Sequence, residues 1–263
     1  MHPTDISWLQ LAAAAALVLV AVALSQWQQL GLARQLLSGA ARATVQLLAT
    51  GYVLVWVFAT KQWWVVAGLL LVMVMVASHT AASRQKIAAA ARRRVAALTG
   101  FSILVGSAIT LVYVMGVIVR VDPWYDPRYV IPLAGMVIAN AMNAAALGAE
   151  RLRSELVARA GEVEAWLALG ATPAQASAEP VRRAVSAAMM PTINGLAVVG
   201  IVSLPGMMTG QILAGASPLL AVRYQLVVVF MLACATAITA LLVVLAYRRS
   251  FFTAADQFRR PLD

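Results

Sequence analysis

The chain has 263 residues, 62% hydrophobic and 11% charged, with a mean hydropathy of +0.84 and a formal net charge of +10. Soluble domains are roughly 45–50% apolar and about 25% charged, so a water-soluble fold has nowhere to place this much apolar surface. The apolar runs are long enough for spanning helices rather than barrel strands, which reads as an all-α integral membrane protein. The lone cysteine, Cys234, excludes an internal disulfide and any Cys-based metal cluster. Inside an apolar run it reads as a small buried hydrophobe.

Seven apolar runs follow in chain order: Ile6–Ser25, Ala40–Ala59, Trp63–Ala82, Val95–Val119, Val130–Gly148, Ile193–Ala214 and Tyr224–Tyr247. Each approaches the ~20 residues a helix needs to cross a bilayer. The opening "MHPTDIS" has no basic n-region, so the first run is read as a span and not a signal peptide. Seven spans put the termini on opposite faces. With the N-terminus outside, the inner segments collect Arg34 and Arg42; Arg84, Lys86, Arg92, Arg93 and Arg94; Arg151, Arg153, Arg159, Arg182 and Arg183; and Arg248, Arg249, Arg259 and Arg260. Only Lys61, Arg120, Arg128 and Arg223 fall outside. The positive-inside rule therefore predicts N-out, C-in. The basic excess is a topology signal, and no nucleic-acid partner is needed to explain it. Trp8, Trp63, Trp64, Trp124 and Tyr125 fall at the outer face, as an interfacial belt in contact with lipid does. The outer "DPWYDPR" reads as a solvated turn, with cation capture by Asp122 and Asp126 as the alternative.

No internal repeat, low-complexity tail or second soluble domain is visible, so residues 1–263 read as one transmembrane domain. Its largest non-membrane segment spans about residues 149–190. There Glu150–Leu169 is amphipathic, with Leu152, Leu156, Val163 and Leu167 at helical spacing and Trp166 beside them. Arg151–Glu155 and Glu155–Arg159 are i,i+4 opposite-charge pairs expected on the wet side. Gly170 suits a helix stop. Thr172 then fits an N-cap, Pro173 the first helical position and Gln175 the third residue of a capping box. Pro180 and Pro191 punctuate the return to the membrane. Two helices meeting at a fixed corner can transmit force or position. An amphipathic segment lying on lipid without a partner is the alternative.

The pattern E-A-x4-G, formed by Glu164, Ala165 and Gly170 and followed by small residues, resembles the cytoplasmic loop of ABC-transporter permeases. In those proteins the loop forms a coupling helix that docks in a cleft of the ATP-binding subunit. The resemblance implies docking through Glu164, Ala165, Trp166, Leu169, Gly170, Ala171 and Thr172. Trp166 stands where a second alanine is usual, and "AAMMPTI" replaces the I-x-L-P that often follows. A wider match is more specific. "IPLAGMVIANAM" (Ile131–Met142), "LGATPAQA" (Leu169–Ala176), "VSLPGMMTGQILAG" (Val202–Gly215) and "YQLVVVFML" (Tyr224–Leu232) resemble the FetB-type permease family, which includes a bacterial iron-export permease and plant proteins tied to aluminium tolerance. The match covers nearly the whole chain in length and span order; Ala139 stands where the family has glycine. The resemblance implies a permease of the bacterial inner membrane, two copies of it with two of a FetA-like ATPase, and export of iron or another metal without a periplasmic receptor.

An outside energy source also follows from the residues. No G-x4-G-K-[ST] phosphate loop is present, and neither Lys61 nor Lys86 follows a glycine, so ATP is expected to be used by a partner and no cofactor by this chain. All ten acidic residues lie outside the seven runs, whereas ion-driven carriers usually need intramembrane carboxylates. Sodium sites built of carbonyls stay open.

For a route, "SLPGMMTG" falls mid-span. Pro205 removes a helix hydrogen bond, and Gly206 with Gly210 permits close helix approach. Ser203, Met207, Met208 and Gln211 either line a path there or fill a packed seam. Asn140 and Asn143 either hydrogen-bond between helices or line the route. Met136 and Met142 share that helix, but thioethers favour copper(I) over iron, and the metal ligands stay unknown. His79 reads as a packed or hydrogen-bonded histidine, and Arg42, beside Gln46, as an arginine snorkelling to the inner surface. With His2 and His79 the only histidines, no nucleophile–base set is visible and no enzyme is expected. The composite expectation is a permease subunit of an ATP-driven transporter. The alternatives are a passive channel or secondary carrier, and a non-transporting membrane partner or sensor.

Overall fold

The computed structural model describes residues 7–60, 62–85 and 89–259. His2, Asp5, Ile6, Lys61, Lys86, Arg260 and Asp263 lie outside the described residues, as does the side chain of Trp8. The chain is helical almost throughout and divides into two compact units, one running to Gln62 with Leu213–Gly215, the other holding the remainder.

The first unit is built from α1 (Trp8–Trp27) and α2 (Ala33–Thr60), which pack as a hairpin. Ser7 and Gln10 form a capping box that opens α1: the Ser7 Oγ accepts from the Gln10 amide at 3.3 Å, and the Gln10 Oε1 accepts from the Ser7 amide at 2.8 Å. Val57 is the buried residue of α2, whose Arg42 and Gln46 are exposed. A helix this apolar on an exposed surface needs lipid or another protein around it.

The second unit holds α3 (Trp63–Ser83), α4 (Ala89–Tyr113, continued by a π-helical stretch Val114–Val119), α5 (Pro127–Ala158), α6 (Ala160–Ala168), α7 (Pro173–Ala176), α8 (Ala178–Val198), α9 (Gly206–Leu213, all but its last residue) and α10 (Pro218–Arg248). Asp126 caps α5 by accepting from the Arg128 amide at 2.9 Å, with Pro127 at the first position, so one of the two aspartates of the "DPWYDPR" turn has a structural partner. α5 packs against α3, α4, α8 and α10. Its buried stripe is Ala134, Ile138, Ala141, Ala145, Ala149, Leu152 and Leu156, a helical repeat made mostly of alanine. In lipid, helices associate through close packing rather than hydrophobic transfer, so small residues at the seam do the work. Two glycines show how close the approach is. A Cβ on Gly106 of α4 would land on the Thr239 side chain of α10, and one on Gly148 of α5 would meet Val244 at 3.0 Å and Ala188 at 3.4 Å. Thr239 also donates to the carbonyl of Ser102 at 3.4 Å, joining α10 to α4.

Among the described residues six helices are long and apolar enough to cross a membrane, where seven spans were expected. The difference lies in Ile193–Ala214. α8 carries through Pro191 but stops at Val198; Val199–Pro205 is not helical, and only the short α9 follows. Gly200 takes a φ of +86°, its amide donates to the Ser203 carbonyl at 2.9 Å, and Pro205 lacks an amide hydrogen to continue a helix across it. Where the loss of one helix hydrogen bond was expected at Pro205, the helix is broken outright. The fifth run also differs from its reading: α5 continues ten residues past Gly148, and the expected helix Glu150–Leu169 is divided at Arg159 between α5 and α6. Leu152 and Leu156 extend the α5 stripe into the same core, which holds this segment to α5. Cys234 is exposed rather than buried, since Met231, Ala235, Thr236 and Thr239 set the packed face of α10 and Cys234 lies off it. His79 is likewise exposed on α3, whose buried positions Val74, Ala77 and Ala81 define a different face.

Candidate functional site

α6 and α7 form a corner between α5 and α8, and each bend has a local cause. α6 ends in a Schellman motif: the Ala171 amide donates to Trp166 O and the Gly170 amide to Leu167 O, both at 3.0 Å. Gly170 supplies the required left-handed conformation, φ +86°. Next, Thr172 caps α7. Its Oγ1 accepts from the Gln175 amide at 3.3 Å while Gln175 Oε1 accepts from the Thr172 amide at 2.9 Å, with Pro173 at the first position. The capping box stands where the residues indicated it, although the helix it opens is one turn, set off from α8 at Ser177.

The corner is anchored from inside. Val163 of α6, Ala176 of α7 and Ala184 of α8 belong to the same apolar core as Leu152 and Leu156 of α5 and Val243 and Val244 of α10, with Leu167 packed against it. The opposite side is open. Glu164, Ala165, Gly170 and Thr172 are exposed, Ala171 is half-buried, Trp166 is 52% exposed and Leu169 is 83% exposed. All seven residues expected to dock a partner are therefore exposed or half-buried, and Trp166, Leu169, Gly170 and Ala171 share one shallow concavity with Gln175 and Ala178. Trp166 walls a concavity of about 290 Å³ shared with Arg159, Glu162, Gln175, Glu179 and Arg182.

Charges brace the base of this corner. Glu155, expected on the wet side, is buried beneath α8 with its side chain only 10% exposed. It pairs with Arg151 at 2.7 Å and Arg159 at 3.5 Å, and lies 4.0 Å from Arg183 of α8. Arg159 also reaches Glu162 of α6 at 3.4 Å, and Arg183 reaches Glu179 at 2.8 Å. The hydrogen bond from Arg183 holds the Glu179 carboxyl below its ordinary value, and the same bond raises Arg183.

The residues considered for a route fall in two places. On α5, Asn140 is half-buried and its Nδ2 donates to Met136 O of the same helix at 2.9 Å, while the exposed Asn143 accepts at 3.2 Å from Nη1 of Arg84, the residue just past the end of α3. The others surround the break: Ser203 and Gly206 are exposed, Pro205, Met207, Met208 and Gln211 half-buried. Gln211 Oε1 is enclosed and has no hydrogen-bond partner among the described residues. A Cβ on Gly206 or Gly210 would meet nothing within 4 Å, so the G-x3-G face is open in the single chain. α5 and α9 are not among the packed helix pairs. Among the described residues no three His, Cys, Asp or Glu side chains gather as a metal-holding group.

Long apolar helices, alanine-lined seams and a structured corner define a polytopic helical membrane protein. Over residues 8–252 the chain matches the family described as Uncharacterised protein family (UPF0014), and it belongs to that family. It is 41% identical to the "UPF0014 membrane protein STAR2" of Oryza sativa, over 93% of this chain and 84% of that one. It is 37% identical to "Protein ALUMINUM SENSITIVE 3" of Arabidopsis thaliana, over 94% and 88%. It is 34% identical to the "Probable iron export permease protein FetB" of Escherichia coli, over 98% and 96%. No solved structure matches.

Proposed function

We propose that the chain is the permease subunit of an ATP-driven transporter in the bacterial inner membrane. It works as a homodimer, N-terminus outside and C-terminus inside, with a separate FetA-like ATP-binding subunit. One observation carries this reading: the corner is rigid from within and apolar at its tip. An exposed leucine and tryptophan on a capped, core-anchored, ion-paired turn are what a docking element needs and what a loose linker lacks. Glu164, Ala165, Trp166, Leu169, Gly170, Ala171 and Thr172 are the docking residues. Closure of the ATPase dimer displaces the tip, and α5 and α8 move with it because they share its core. The broken segment and α9, with Ser203, Pro205, Gly206, Met207, Met208 and Gln211, form the element at which access changes, and Asn140 and Asn143 lie on the α5 side of the route. Interrupted membrane helices recur at transport sites because they free backbone groups inside the protein. The cargo, iron or another metal, follows the printed name of the Escherichia coli relative.

The test uses inside-out vesicles carrying the chain and its ATPase, with ferrous iron as the probe. The reading expects iron uptake that requires ATP and is lost in Glu164→Arg. Flux indifferent to ATP would replace it with a passive channel, and absence of flux for iron and other divalent metals would remove the export assignment.

A further inference from the structure

Glu155 is the one carboxylate of the corner that is buried, and its three arginine contacts are unequal. Charge-assisted N–H···O pairs close at about 2.7–2.9 Å. The Arg151 contact, within α5, meets that at 2.7 Å. The contacts to Arg159, at the α5–α6 junction, and to Arg183, on α8, are slack at 3.5 and 4.0 Å. Each slack arginine also faces a second carboxylate: Arg183 holds Glu179 at 2.8 Å, and Arg159 stands 3.4 Å from Glu162, about as far as from Glu155. The result is an alternating line of charge, Glu162–Arg159–Glu155–Arg183–Glu179, running from the corner helix across α5 to the helix that ends at the break. With Arg151, which holds Glu155 from within α5, the network counts three arginines and three glutamates. A carboxylate fixed to one arginine and shared by two others has two ways to tighten.

We propose that Glu155 is the positioning residue that passes displacement of the corner to α8: it closes on Arg159 in one access state and on Arg183 in the other. Packing alone would move α6 and α8 together; the shared carboxylate supplies two discrete arrangements, as a switch between states requires. The inference rests on the permease reading above, and its test separates the two.

The complex of chain and ATPase is purified, and hydrogen exchange across residues 193–213 is compared with and without a non-hydrolysable ATP analogue and Mg²⁺. The wild type is expected to change its exchange there. Glu155→Gln is expected to retain the ATPase yet reduce the nucleotide-dependent change in opening equilibrium roughly tenfold, within the usual range of coupling between sites. Arg183→Gln is expected to do the same; its side chain is 47% exposed, so it decides the matter if Glu155→Gln does not fold. Glu150→Gln, an exposed neighbour outside the line, is expected to behave as wild type. A wild-type response in both Glu155→Gln and Arg183→Gln overturns the proposal. So does release of the ATPase by both, which would make Glu155 only a shaper of the docking surface, and so does a wild-type complex that shows no nucleotide response. A wild-type chain that holds no ATPase overturns the permease reading itself.

Discussion

Gly170 and Gly200 share a φ of +86° and stand at two places where a helix of the second unit stops, yet the breaks differ in kind. After Gly170 the chain is capped by Thr172 and Gln175, and Val163 and Ala176 tie its flanks to the core. After Gly200 the chain turns through an isolated bridge between Val199 and Ser203, and α9 contributes no buried residue. The same backbone device therefore sits in a core-anchored corner in one place and beside an unburied break in the other. What separates them is packing on either side of the glycine, not the turn itself.

The strongest way to break this contrast is to hollow the corner's anchor. Leu156 is fully buried beneath the corner, and Leu156→Ala is expected to cost about 2–5 kcal/mol. Leu204, 61% exposed beside the other break, is expected to tolerate alanine within about 0.5 kcal/mol. Unfolding in detergent, followed by tryptophan fluorescence, compares the two; equal losses would mean that the corner is no better anchored than the break.

Substituting the glycines sharpens the comparison. Neither Cβ would meet an atom within 4 Å, so the penalty of Gly170→Val or Gly200→Val is backbone strain, about 1–2 kcal/mol at a left-handed position. Similar stability losses are expected, with ATPase retention lost only for Gly170→Val. Thr172→Ala removes a cap worth about 1 kcal/mol and is expected to speed exchange of the amides of residues 174–176 while leaving residues 199–213 unchanged.

The smallest effect is acidity. The Glu179 carboxyl titrates below its unfolded value of 4.5, so its contribution is complete above that pH and is lost as pH falls through the lower folded value. The first turn of α8 should loosen only in acid below pH 4.5, and less sharply in Glu179→Gln, as exchange near Glu179 at graded pH would show. Loosening between pH 6 and 8 would point to a different group.

Local chemistry makes the corner readable from its residues alone. Gly170, Thr172, Pro173 and Gln175 each act within a few residues of themselves, and capping and left-handed stops are local events. The seven apolar runs were equally plain, but hydropathy cannot tell one spanning helix from a helix, a break and a shorter helix, since Val199–Leu204 is apolar in either case. Glu155 was misplaced on the wet side because its burial depends on α8, which returns across it about 25 residues later; only the coincidence of Arg183 with two nearer arginines hinted at a hub. Cys234 failed for the related reason that an apolar run spanning a membrane has a face that no part of its own chain covers.

Co-purification tests the central claim most directly. The chain is extracted gently from its own membrane, as wild type and as Glu164→Arg, and whatever remains bound is identified by mass spectrometry. The permease reading expects an ATPase bearing a G-x4-G-K-[ST] loop with the wild type, released by Glu164→Arg while the helices stay folded. A folded wild-type chain that elutes alone, or as a simple homodimer, would contradict it.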